Sequence, residues 1–298
     1  MLSTKERIPT LDPRPPVTTL LIALALTVAL WFIPFGDLIV YPFRLFVTFI
    51  HEGGHALAAL LTGADVHGLQ VAPNASGLVY TVGGGRLSGM FTASAGYLGA
   101  MAYGAALLVL IRRAVAARAV LLASALFVLG LTLAYGLSSL FTVVAGIVLA
   151  GGLVAAARYA GPRLASFLVG FLAVQCVVSA LFDLKTLLAL SSPFAPDVHT
   201  DADNMTRLTG LPELFWALLW TVLALAILAA ALRAYAADRR GPRVHPGVLP
   251  VAGHLRQCGG RFTRPRRMVT ARNRPGRRGR RSAGRSPAAP ARPGSESA

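Results

Sequence analysis

Cysteine is almost missing from this chain of 298 residues: Cys176 sits in an apolar stretch and Cys258 near the C-terminal end. Two isolated thiols exclude a disulfide framework and a cysteine-based zinc site, so any metal must be held by imidazole and carboxylate. Charge is scarce as well. Only 14% of residues are charged against 55% hydrophobic, and the mean hydropathy is +0.61, where soluble domains carry about 25% charged residues. A water-soluble globule is excluded, and the bilayer becomes the expected solvent. Acid is nearly absent from the last segment. From Arg239 onward there are 16 Arg, no Lys and one acid, Glu296, which accounts for +15 of the formal +17 and leaves the body of the chain at +2. That segment has neither a folded basic surface nor interleaved aromatics, so nucleic acid is not an expected partner. A basic tail beside a last membrane helix is instead a positive-inside signal and a contact for anionic lipid.

Long apolar runs are plentiful, at about 17–35, 39–62, 89–111, 119–136, 139–157, 164–190 and 211–233. Most are long enough, at roughly 17 to 25 residues, to cross a hydrocarbon layer about 30 Å thick as helices. The fold expected is an all-α polytopic protein of the cell membrane, multi-pass, with six or seven transmembrane helices. Residues 1–16 are polar and proline-rich, residues 17–235 form the transmembrane domain, and residues 236–298, rich in Arg, Pro and Gly, are expected to be a disordered tail. The run after residue 16 has no convincing small-residue cleavage site and reads as a retained helix. Between the second and third runs, GADVHGLQVAP and GLVYTVGGG flank Asn74-Ala75-Ser76-Gly77. β-type residues around a turn signal predict a short, membrane-associated β-hairpin; the same turn suffices to explain the Asn-Ala-Ser sequon. Basic loops at Arg112, Arg113 and Arg118, at Arg158 and Arg163, and after Arg233 are expected on the cytoplasmic side. The acidic loop 191–210, with Asp197, Asp201 and Asp203, then falls opposite.

Within the second run stands FIHEGGHALAALL. Four residues on a helix turn through about 400°, so His51 and His55 lie nearly above one another and can grip one ion from the same face. Glu52 is displaced by about 100°, within reach of a metal-activated water without being a ligand. Three titratable side chains within five residues of an apolar helix are costly in a bilayer. Zinc explains them, as an ion held by imidazoles and served by a general base. Gly53 and Gly54 leave room for a close approach. A catalytic zinc takes three protein ligands, and the best third is Asp183, the one acid of the apolar run CVVSALFDLKTLL. Asp201, Asp203 and His199 read as solvated loop residues, with metal binding as their alternative. His67, His245 and His254 lack partners at ligand spacing, and Arg44 is expected to snorkel toward an interface.

These parts, in this order, resemble the site-2 protease class of intramembrane zinc metalloproteases, in its small bacterial branch. HEGGHALAALLTG is similar to that family's first motif, GADVHGLQV with GLVYTVGGG to its β-like stretch, SAGYLGA (Ser94 to Ala100) to its small-residue helix, and ALFDLKTLL to its distal aspartate motif. HTDADNMTRLTGLPELFWALLW resembles the close of that branch, and the resemblance covers residues 20–235. It implies that His51, His55 and Asp183 ligate zinc, that Glu52 is the catalytic base, and that the substrate is a membrane helix of a regulatory protein. The distal motif departs from the better-known pattern: Leu184 follows Asp183 where glycine stands in those members, and Gln175-Cys176 lie upstream where they carry Asn and Pro. The function expected is a zinc-dependent intramembrane endopeptidase. Its alternatives are a non-catalytic zinc-binding membrane regulatory or scaffold protein and, less readily, a transporter using these residues as a relay.

Overall fold

The computed structural model describes residues 17–30, 32–112, 117–192 and 198–237. The N-terminal segment, Asp197 and the basic tail from residue 238, with the disorder expected there, lie outside the described residues. In chain order the described elements are α1 (Val17–Leu30), α2 (Gly36–Leu61), β1 (Ala64–Val71), β2 (Gly77–Gly83), α3 (Gly85–Arg112), α4 (Ala117–Tyr135), α5 (Leu140–Tyr159), α6 (Pro162–Leu190), α7 (Asp201–Thr209) and α8 (Glu213–Ala237). Among the described residues the protein is mostly helical, with the expected hairpin as its one sheet.

Among the described residues, α3, α4, α5, α6 and α8 are long and apolar enough to cross a membrane. This is fewer than the six or seven expected from apolar runs. The described part of α1 is only 14 residues long, and α2, though 26 residues long, carries Asp37, Arg44, Glu52 and two histidines. The five span-forming helices keep large apolar side chains on their outer faces, such as Leu126, Leu133, Val148 and Val222. In water that surface would be a liability; against acyl chains it costs nothing.

α3 is the hub of the bundle and packs against α2, α6, α7 and α8. Its approach to α2 depends on missing side chains. A Cβ on Gly54 would run into the Ala95 carbonyl of α3, and one on Gly99 would sit 3.4 Å from the Gly54 Cα. Small residues that let helix backbones touch are the usual means of packing helices where no hydrophobic force drives them together.

The hairpin is antiparallel, running from Ala64 opposite Gly83 to Val71 opposite Gly77, with an irregularity between Val66 and Gly68 that leaves exposed His67 at a bulge. Its turn is closed by the Ser76 N–H donating to Asn74 Oδ1 at 3.0 Å, with Ala75 at φ 65°. Two hydroxyls of α2 pin it: Tyr41 donates to the Pro73 carbonyl at 2.6 Å and Thr48 to that of Ala75 at 2.7 Å. On the far side the Val71 N–H donates to Thr142 Oγ1 of α5 at 2.8 Å. β1 packs against α2, α4 and α5, and β2 against α2. The chain leaves β2 through Gly83, Gly84 and Gly85, all at positive φ, which only glycine adopts without strain.

Candidate metal centre

Helical geometry brings the two imidazoles of α2 together as their spacing predicts, with ring centroids 4.8 Å apart. α3 orients one of them. His55 Nδ1 lies 2.6 Å from the Thr92 carbonyl, and since that nitrogen must donate there, the Nε2 lone pair is left for the cavity. The carboxylate that joins them comes from α7. Asp201 Oδ2 is 3.5 Å from His55 Nε2 and 3.9 Å from His51 Nε2, and the three donor atoms lie within 4.8 Å of one another. Burial pushes the Asp201 carboxyl upward, but His55, His51 and His199 outweigh it and hold it below the ordinary carboxylate value. The N-terminal end of α7 also favours the anion.

A glycine lets the imidazoles pack this closely against α3. A Cβ on Gly96 of α3 would overlap Nε2 of both His51 and His55. Two imidazole nitrogens and a carboxylate oxygen are a zinc-type donor set, and donors about 2.0 to 2.2 Å from a tetrahedral ion stand roughly 3.4 Å apart. The spacings of Asp201 from the two imidazoles, 3.5 and 3.9 Å, are close to that value, and the three groups could hold one metal ion.

Glu52 is buried beside this cluster without belonging to it. Its carboxylate lies against the first residue of β2, where a Cβ on Gly77 would overlap Glu52 Oε1, Cγ and Cδ. Glu52, the two histidines, Asp201 and the β2 residues Gly77 to Val79 all line one cavity of about 790 Å³. Asp183 lines it too, exposed to the space rather than buried, and it is electrostatically coupled to His51 and Arg44. It is not in the donor cluster, so the carboxylate that the structure gathers with the histidines is Asp201 and not the expected Asp183. Lys185, two residues on, lies over the Phe182 ring at 5.6 Å from its centroid. Arg44 is exposed, as snorkelling requires, but at the cavity wall.

The expectation of a solvated loop at Asp201 and Asp203 is corrected by α7. Thr200 caps this helix, its hydroxyl accepting from the Asp203 N–H at 3.1 Å, and Gly210 ends it at φ 77°. Ala202 and Met205 are buried against the bundle, and the Arg86 guanidinium of α3 donates to the Leu208 carbonyl at 3.0 Å. Asp203 turns away: it takes two bonds from Arg207 Nε, at 3.0 and 2.9 Å, and lies 2.6 Å from His199 Nδ1. Those bonds hold the Asp203 carboxyl below its ordinary value, the Arg207 bond foremost. His199 is thereby engaged outside the cluster.

Sequence reasoning therefore held Asp201 only as an alternative and missed Gly96 and Gly77. For Asp201 the signal was present, because Thr-x-x-Asp before an apolar pair, closed by Thr-Gly, is a capped helix rather than a loop. For the glycines no local signal exists, since each answers to a side chain far away in sequence.

Comparison with curated proteins and with solved structures gives no match. The family model described as Peptidase M50B-like matches residues 19–231, a span that contains HEGGH, the hairpin, Gly96 and Asp201 and stops short of the basic tail. The chain, with its membrane-capable helices and its His-His-Asp cluster, belongs to the Peptidase M50B-like family.

Proposed function

We propose that this protein is a zinc-dependent endopeptidase of the cell membrane, a multi-pass enzyme that hydrolyses a peptide bond of a membrane-embedded substrate. The observation that carries it is the donor set of His51, His55 and Asp201 in one cavity, with the Glu52 carboxylate beside it. His51, His55 and Asp201 would hold the ion, and Asp183 would not. When bound, zinc supplies Lewis-acid chemistry, polarising a carbonyl and lowering the pKa of a water toward about 7.

The remaining work belongs to the chain itself. Glu52 takes the proton of the attacking water as its oxygen adds to the carbonyl carbon. It then returns that proton to the leaving nitrogen as the C–N bond breaks. A carboxylate can do both only if it is not spent on the metal, and Glu52 is outside the donor cluster. The substrate must also present a bare backbone, because the hydrogen bonds of an intact helix shield its carbonyls. β2 offers the means: its cavity-side edge, from Gly77 to Thr81, lines the same space as Glu52 and can pair with an unwound segment as an added strand. A membrane helix of a regulatory protein is the proposed substrate class, and anionic lipid the proposed contact of the basic tail.

In proteoliposomes, the zinc-loaded protein is expected to cut a single-span peptide whose apolar helix is interrupted by Gly-Pro. A chelator should stop cleavage and added zinc restore it. Stoichiometric zinc without cleavage of that peptide, or of membrane proteins solubilised from the same membrane, would favour the non-catalytic zinc-binding reading.

A further inference from the structure

Tyr97 is used by neither metal binding nor proton transfer, yet it is held as firmly as the residues that are. It follows Gly96 on α3, and its ring meets the His51 imidazole edge-on, with centroids 4.8 Å apart and planes at 87°. It also stacks on Trp220 of α8, at 5.6 Å and 29°. Trp220 is itself buried, and its indole N–H donates to Ser94 Oγ at 3.1 Å, which in turn donates to the Met90 carbonyl at 2.9 Å. The phenol is thus clamped between α2 and α8 while it lines the catalytic cavity.

Its surroundings define what the hydroxyl can do. The groups it is electrostatically coupled to are the carboxylates of Asp201, Asp183 and Glu52, all hydrogen-bond acceptors, and His55 Nε2 faces the cavity as a lone pair. A carbonyl oxygen that gains negative charge at this end of the cavity needs a donor, and the Tyr97 O–H is one mounted on a rigid ring. Fixed donors aimed at developing charge are among the largest contributions to catalysis.

Resting on the proteolytic reading above, we propose that Tyr97 is a catalytic residue that donates a hydrogen bond to the scissile carbonyl oxygen as water adds to its carbon. The O–H bond of Tyr97 stays intact throughout. The proton lost by the water goes to Glu52 and then to the leaving amine, and Tyr97 lends only the hydrogen bond, which strengthens as the oxygen becomes an oxyanion and weakens as the carbonyl re-forms.

Tyr97→Phe keeps the ring, its stacking on Trp220 and its contact with His51. With the Gly-Pro single-span peptide as substrate, kcat is expected to fall by about 10²-fold, with KM and zinc content unchanged. A phosphinic analogue of that peptide, which carries the tetrahedral oxygens permanently, should bind more weakly by a similar factor, because the lost interaction belongs to the transition state. Wild-type kcat in the variant would overturn the proposal and leave the protease reading standing. Loss of zinc from the variant would overturn it too, by making Tyr97 a support for His51. A zinc-loaded wild type that cleaves nothing would overturn the protease reading and this role with it.

Discussion

Glu52→Gln is expected to bind zinc as tightly as the wild type and to cleave at least about 10³-fold more slowly, at the upper end of what a positioned base contributes. The two halves of this result have separate causes. Zinc is retained because Glu52 lies outside the donor cluster and the amide fills the same volume against Gly77. Turnover is lost because an amide cannot accept the water's proton or carry it to the leaving nitrogen. Metal content by elemental analysis, beside single-turnover cleavage in proteoliposomes, reads both. A Glu52→Gln enzyme that still cleaves at the wild-type rate would remove Glu52 from the mechanism, and one that lost zinc would make it a ligand.

The second large effect is expected from the smallest change. Gly96→Ala adds one methyl group where Nε2 of both His51 and His55 already stand. α3 cannot step back without opening the contact of Gly54 with the Ala95 carbonyl and stretching the bond from His55 to Thr92. The imidazoles must turn instead, and zinc affinity should fall by at least about 10²-fold, since changes that merely disturb ligand orientation cost about 10 to 100-fold. Alanine is otherwise the better helix residue, by about 1 kcal/mol in an exposed helix interior. The variant should therefore remain folded, losing the rise in melting temperature that zinc gives the wild type. Equal zinc affinity in Gly96→Ala and wild type would mean that Gly96 does not set the placement of the two imidazoles.

Much of this architecture was legible in the sequence because it is written in local patterns. HEGGH carries its own geometry, and the hairpin announced itself through β-type residues on either side of Asn74-Ala75-Ser76, whose turn is closed by the Asn74 side chain. The apolar runs located the helices, and among the described residues five of them are long and apolar enough to span, against the six or seven expected. A lone acid in an apolar helix looks in need of a metal, which favoured Asp183; the structure places Asp183 on the wall of the same cavity but groups Asp201 with the histidines. Asp201 looked solvated because its neighbours are polar, while Thr200 and Gly210 make those neighbours a helix that docks on α3 and buries Ala202 and Met205. Which distant element completes a site begun by two histidines is a question of tertiary packing, and spacing along the chain does not encode it. The glycines show the same limit. Gly54, Gly77 and Gly96 each matter through what a side chain would strike, and each obstacle lies on an element other than the glycine's own.

The family resemblance implies Asp183 as the third ligand, whereas the structure groups Asp201 with the two histidines. The most direct test is the zinc content and affinity of purified Asp201→Ala beside Asp183→Ala. One zinc per chain is expected in the wild type and in Asp183→Ala, and a loss of at least about 10-fold in affinity in Asp201→Ala. Zinc retained by Asp201→Ala and lost from Asp183→Ala would contradict the site described here.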